Sequence, residues 1–174
     1  MIVPVFRTIR SYQVVKNDKV ETVEYQLPSY STRDAACMDI QTPVEFALEP
    51  GERKLINTGL IMRAPRGYNI QVLPRSGLAL KYGVTVLNAP GTIDRDYCGP
   101  TNTVGVILIN LGSEKVEFKA GDRIAQLKLD PFTSIDWSEQ SSAYFAIGDT
   151  GTRTGGFGST GIGSSGGTIL YRNT

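Results

Sequence analysis

Residues 104–111 read VGVILINL, an uncharged run of eight positions closed by Gly112. β-branched and aliphatic side chains crowd it, and a short apolar run bounded by a turn residue marks a buried strand rather than a helix. The same signature repeats outward in both directions. Residues 84–88 are β-prone and end at the Pro90-Gly91 break. Residues 115–118 lead into Lys119-Ala120-Gly121-Asp122, and residues 124–129 resume as a strand. Further towards the N-terminus, residues 68–73, 54–61, 44–48 and 3–9 read as strands. Residues 12–15 and 20–25 flank Lys16-Asn17-Asp18-Lys19, which reads as a hairpin turn. No long stretch has helical periodicity, and residues 77–82 (GLALKY) offer only a turn or two of helix. Many short strands of this spacing predict an all-β sandwich, jelly roll or barrel.

The chain has 174 residues, which suits one domain with an independent core. Its 18 basic and 17 acidic residues leave a formal net charge of +1, no field for duplex DNA or an acidic membrane. No histidine is present, which removes histidine from nucleophile activation and metal ligation. Cys37 and Cys98 lie in unrelated contexts with no metal spacing and read as free thiols. No apolar run is long enough for a secretory leader or a bilayer span, so the expectation is a soluble intracellular protein, cytoplasmic or, from a eukaryotic or viral source, nuclear or in the host cell cytoplasm. Residues 134–150 read as a linker or a last short strand at 143–146.

Three carboxylates stand out. Asp39 follows Ala35-Ala36-Cys37-Met38, and Asp94 and Asp96 lie in Gly91-Thr92-Ile93-Asp94-Arg95-Asp96-Tyr97. In an extended segment Asp94 and Asp96 would share a face. Such carboxylates suit a divalent cation held through water or a nucleophilic water, and equally a solvated turn or an ion pair. Arg75-Ser76-Gly77 joins a guanidinium, a hydroxyl and a flexible backbone, which suits a phosphate or a plain turn. Arg123 suits a nearby carboxylate, Gln126 an edge strand, Tyr97 the core or the floor of a sugar ring. Asn88 carries a donor and an acceptor that can read a base edge, or serves the turn beside Pro90. Nine of the nineteen glycines fall between Gly148 and Gly167, around the TGGFGSTG of residues 154–161. So few side chains bury little surface, but such a stretch can wrap a ligand, with backbone N–H groups for an anion and Phe157 as a flat apolar surface.

Taken in order, these segments resemble the trimeric all-β dUTPases (deoxyuridine triphosphate pyrophosphatases). The five segments that carry the resemblance are ACMDI at 36–40, PRSGLA at 74–79, Asn88 through Gly99, GDRIAQL at 121–127 and GGFGSTG at 155–161. The resemblance implies a jelly-roll-like β-barrel over residues 1–147, with an added N-terminal hairpin, and a glycine-rich arm at 148–174. It also implies a homotrimer in which each site uses parts of three subunits. The implied reaction is hydrolysis of dUTP to dUMP and pyrophosphate with Mg²⁺ as cofactor. Asp94 matches the carboxylate that activates the attacking water, and Asp39 the one that holds the metal through water. Arg75, Ser76, Gly77 and Gln126 match phosphate contacts. Asn88, Gly91, Thr92 and Ile93 match the base pocket, Tyr97 the deoxyribose platform, and Phe157 the base-stacking ring. Arg153, Gly158, Ser159 and Thr160 match arm contacts to the γ-phosphate.

The sequence departs from the family pattern at several points. Cys37 stands where glycine is usual, Cys98 where a larger polar or basic residue is usual, and Pro100 where an acidic or polar one is common. Thr152 holds the usual arginine position of the arm, with Arg153 one residue later. A dCTP deaminase on the same fold would need an acid–base carboxylate in the third segment, where Ala89, Pro90, Gly91 and Thr92 stand instead. A dUTPase-fold protein acting as a regulatory partner is the reading from a different class, suggested by the added N-terminal hairpin and the residues after Gly161.

Overall fold

The computed structural model of the protein describes residues 1–139. The chain divides into two compact units, Met1–Thr133 and Ser134–Thr174. In the first unit the strands are β1 (Val5–Arg7), β2 (Ser11–Lys16), β3 (Lys19–Glu24), β4 (Ser29–Tyr30), β5 (Met38–Gln41) and β6 (Phe46–Leu48). There follow β7 (Arg53–Asn57), β8 (Leu60–Met62), β9 (Tyr68–Leu73), the helix α1 (Ser76–Tyr82) and β10 (Val84–Val86). The last are β11 (Gly91–Ile93), β12 (Gly105–Asn110), β13 (Val116–Phe118) and β14 (Arg123–Pro131). In the second unit, residues 134–139 carry no regular element. The short strand expected at 143–146 and all residues of the arm lie outside the described residues.

The largest sheet runs β11-β9-β14-β5-β4, and a second runs β10-β12-β7. Every pairing in both is antiparallel. The 104–111 run becomes the central strand of the second sheet, as its apolar character requires. Its Val106 and Leu108 are fully buried beside Leu48, Leu60, Val84 and Leu127 in one core. Asn110 ends that strand fully buried, and its amide is satisfied. Its Nδ2 donates to the carbonyls of Leu48 at 3.0 Å and Glu114 at 2.8 Å, and its Oδ1 accepts from the Gly112 N–H at 2.9 Å.

The hairpin at the N-terminus forms as its turn residues predict. Val15 pairs with Val20 and Lys16 with Lys19, leaving Asn17 and Asp18 as a two-residue loop with φ of 51° and 57°. Positive φ at both positions is the twist-matched hairpin turn that Asn and Asp tolerate. Below it, Tyr25 is fully buried, meets Tyr12 edge to face at 6.4 Å, and donates from its hydroxyl to the Gln41 carbonyl at 2.9 Å. Burial first, and the neighbouring Tyr12 second, push the Tyr25 hydroxyl well above its ordinary pKa.

Residues 54–61, read as one strand, are two strands in different sheets. The chain breaks at Thr58-Gly59. The Thr58 hydroxyl donates to the Val104 carbonyl at 2.7 Å, the Asn57 side chain accepts from the Gly59 N–H at 2.8 Å, and Gly59 takes a φ of 67°. These local bonds compete with the ladder and redirect the strand. Similarly β1 is three residues long rather than seven, because its ladder to β8 covers only Val5, Phe6 and Arg7. The helix begins at Ser76, one residue before the GLALKY window, and ends at Gly83 with a φ of 69°. A side chain at Gly83 would meet the Gly112 backbone nitrogen at 2.6 Å, so this cap is held to glycine twice over.

Candidate active site

The register of the large sheet assembles the first part of the site. Gln126 on β14 pairs with Asp39 on β5 to one side and with Leu73 on β9 to the other. β14 is therefore central, and Gln126 does not sit on an edge strand as expected, because its strand has a partner along both sides. Two residues past β9, Arg75 occupies the N-cap position of α1 and turns back towards Asp39. Asp39 Oδ1 accepts from Arg75 Nε at 3.0 Å and Gln126 Nε2 at 3.3 Å. Asp39 Oδ2 accepts from Ser31 Oγ at 3.0 Å and Arg123 Nη1 at 3.2 Å. Arg75 Nη1 also donates to the Arg123 carbonyl at 2.9 Å.

A carboxylate offers about four lone-pair positions, and here four donors meet them. The Asp39 side chain is only 10 % exposed, while Arg75 is 24 % and Arg123 52 % exposed. Burial by itself raises the Asp39 pKa, but the Ser31 hydrogen bond, the Arg75 charge and the Gln126 hydrogen bond together hold it below the ordinary aspartate value. Asp39 thus stands ionised and fixes two guanidiniums and an amide in one place. Arg75 and Arg123 also line a cavity of ≈ 370 Å³ with Leu78, Tyr82, Lys115 and Phe118. Ser76 and Gly77 are exposed at the start of α1 beside Arg75.

The second part of the site lies at the sheet edge. Among the described residues β11 pairs only with β9, with Gly91 opposite Val72 and Ile93 opposite Ile70. Gly91 is buried, and a Cβ there would come within 3.3 Å of the Asn88 amide, so the exposed Asn88 side chain rests over a position that needs no side chain. The Ala89–Pro90 peptide between them is cis. Thr92 is exposed, and Ile93 packs against the core edge. At Asp94 the strand stops. The Tyr97 N–H donates to the Asp94 carbonyl at 3.2 Å, so residues 94–97 form a turn. Asp94 and Asp96 therefore do not share a strand face, because the ladder to β9 ends at Ile93. Both still line one cavity of ≈ 400 Å³ with Arg63, Arg95 and Phe132. Among the described residues the Asp94 and Asn88 side chains have no hydrogen-bond partner, and Tyr97 is 43 % exposed.

The two parts are separate. β9 and β14 lie between β11 and β5, a distance of about 14 Å at about 4.8 Å per strand. Among the described residues no hydrogen bond joins the two groups. Arg153, Phe157, Gly158, Ser159 and Thr160 lie outside the described residues. Sequence reading left Arg123 without a named partner and missed Ser31 altogether; only strand pairing, with Ser29 opposite Asp39, brings Ser31 near. It also missed a polar row beside the site, where Asp130 accepts from Lys128 at 2.7 Å and Gln71 at 3.2 Å.

Among the described residues no three histidine, cysteine or acidic side chains gather as a metal cage. Asp39 is one carboxylate among cationic donors. That set fits a cation carried in by phosphate groups with most of its own water, as Mg²⁺ is usually held, and does not fit a bare structural ion.

The family model for dUTPase matches residues 23–161. The chain belongs to the dUTPase family. It is accordingly an enzyme. It is similar to the deoxyuridine 5'-triphosphate nucleotidohydrolase of Ehrlichia canis, at 46% identity over 153 residues, 86% of this chain and 95% of that one. With the enzyme of Desulfotalea psychrophila the identity is 48% over 144 residues, 82% and 91% of the two chains. The solved dUTPase of Streptococcus mutans superposes with a TM-score of 0.61 at 28% identity, over 72% of this chain and 99% of that one. A Staphylococcus bacteriophage 80alpha dUTPase does so at 0.69 and 20% identity, over 92% and 99%, which is a likeness of fold. The all-β, dUTPase-like architecture expected of the sequence is thus the one present. No helix among the described residues is long and apolar enough to cross a membrane.

Proposed function

We propose that the protein is a dUTP diphosphatase, converting dUTP and water to dUMP and pyrophosphate. The observation that carries this reading is the contrast between two carboxylates of a dUTPase-family chain: Asp39 has all its acceptor positions filled, and Asp94 has none filled among the described residues. A carboxylate open to a cavity can accept a proton from water. Asp94 takes that proton while the water oxygen bonds the α-phosphorus. The bond from the α-phosphorus to the bridging oxygen breaks, and pyrophosphate leaves with the electron pair. Arg75, Ser76, Gly77 and Gln126 receive the phosphates and stabilise the charge moving onto the leaving group.

Mg²⁺ bound with the triphosphate would supply further compensation of that charge, with Asp39 accepting from one of its waters. Arg123, half-exposed, is the partner Asp39 can release for this. Tyr97 floors the deoxyribose and leaves no room for a 2′-hydroxyl. Asn88 with Gly91, Thr92 and Ile93 reads uracil. Phe157 stacks on the base, and Arg153, Gly158, Ser159 and Thr160 close on the γ-phosphate.

The barrel, residues 1–147, works as a homotrimer with residues 148–174 as its arm, in the cytoplasm. Two observations support shared sites. The phosphate-facing group and the Asp94 turn are too far apart in one chain to grip one phosphate. Leu55, Leu80 and Leu111 stand 68 %, 88 % and 69 % exposed, apolar surface that a neighbouring subunit would cover. The reading is tested by pyrophosphate release from dUTP, dTTP, dCTP and UTP, with and without Mg²⁺. Metal-dependent turnover confined largely to dUTP is expected; ammonia release from dCTP, or equal rates on dUTP and UTP, would refute it.

A further inference from the structure

Asp94 stands just past the last rung of an edge strand, so the ladder does not set where its carboxylate points. The bonds within its turn, from the Tyr97 N–H to the Asp94 carbonyl and from the Cys98 N–H to the Asp96 carbonyl at 2.8 Å, close the turn on itself. They do not hold it against the body of the protein. Among the described residues one side chain in the turn does so. Arg95 Nη1 donates to the Ala64 carbonyl at 2.6 Å.

The anchor is buried backbone, braced on both sides. Ala64 is 1 % exposed, between β8 and a turn closed by the Tyr68 N–H on the Pro65 carbonyl at 3.2 Å. The same loop accepts a bond from the end of β14, where the Phe132 N–H donates to the Gly67 carbonyl at 3.0 Å. Arg95, Asp94 and Phe132 line one cavity, so the guanidinium spans from its wall to the buried backbone beneath. A charged donor on a buried carbonyl is among the stronger single hydrogen bonds in a protein.

We propose that Arg95 is a positioning residue for the hydrolysis: its bond to Ala64 fixes the turn and so aims the Asp94 carboxylate at the attacking water. The proposal rests on the reading of Asp94 as the base. Misplacing a reacting group by 1 Å can cost on the order of 10²-fold in rate, and among the described residues no other side chain of the turn bonds the body of the protein. Losing the tether should therefore act on the chemical step and spare substrate binding.

The test is steady-state kinetics of Arg95→Ala, Arg95→Gln and Arg95→Lys beside Asp94→Asn, with melting curves for each. Arg95→Ala should lower kcat about 10-fold or more, with KM for dUTP within about 2-fold; its melting point should fall modestly because the Ala64 carbonyl loses its donor, while the variant stays folded at the assay temperature. Arg95→Lys, whose ammonium can still reach one carbonyl, should recover much of the loss, and Arg95→Gln should recover little. If the alanine variant fails to fold, the glutamine and lysine variants decide in the same way. Parent kcat in a folded glutamine or alanine variant, or a raised KM at unchanged kcat, overturns the positioning role. An active Asp94→Asn overturns the reading of the base itself, whereas an inactive Asp94→Asn beside a fully active Arg95→Ala overturns only this proposal.

Discussion

Asp39 and Asp94 are both placed by strands of one sheet, yet they are opposite kinds of carboxylate. Asp39 sits on an inner strand, 10 % exposed, with a donor at every acceptor position. Asp94 sits past the end of an edge strand, exposed, and among the described residues the one side chain that ties its turn to the body is its neighbour Arg95. The difference separates scaffold from reagent. A satisfied carboxylate holds its partners in place and gains nothing by taking a proton. An open one beside a cavity is free to act on whatever enters. The arrangement also divides the cost: order among the phosphate-facing arginines is built into the fold, while the reacting group stays accessible.

The largest expected effect breaks the comparison on the Asp94 side. Asp94→Asn keeps the shape and removes the charge, and kcat should fall by at least ~10²-fold with little change in nucleotide affinity or in unfolding. Turnover near the parent level, measured by pyrophosphate release, would leave Asp94 without a role.

Next is the Asp39 side. Asp39→Ala strands Arg75 and Arg123, and unfolding in urea should show a loss of about 2 kcal/mol, below the range for fully buried pairs because Arg123 is half-exposed. KM for dUTP should rise as the arginines lose their alignment. The pH dependence has a definite sign. A carboxyl held below its ordinary pKa contributes stability that is fully present above the ordinary value and is lost as pH falls through the folded one. The stability gap between the parent and Asp39→Ala should therefore be widest near neutral pH and shrink in acid. A gap independent of pH would mean that the arginines do not depend on the Asp39 charge.

A smaller effect sharpens the edge region. Tyr97→Ala should reduce the preference for dUTP over UTP by about 10-fold, within what one lost steric contact supplies. Competition kinetics with unchanged discrimination would assign the half-exposed ring to another task. The smallest control lies away from both carboxylates. Tyr25→Phe removes the bond to the Gln41 carbonyl and should cost about 1 kcal/mol of stability with no change in kcat. A fall in kcat would show that the floor under β5 reaches the chemistry.

The amino-acid sequence by itself determined most of the local structure of this protein. Strand β9 at Tyr68–Leu73, the Asn17-Asp18 turn and the short helix before Gly83 all follow from propensity and turn chemistry that act within a few residues. It also carried the resemblance by which the site residues could be named. Tertiary structure alone decided what those residues are doing. It broke residues 54–61 at Thr58, whose partner Val104 lies 46 residues away, and it put β14 inside the sheet. It gave Asp39 a partner 84 residues along the chain and left Asp94 beside it in composition but unlike it in company. Periodicity reports which face of a strand is buried; whether a carboxylate is satisfied depends on which donors other strands bring alongside, and that information is not local.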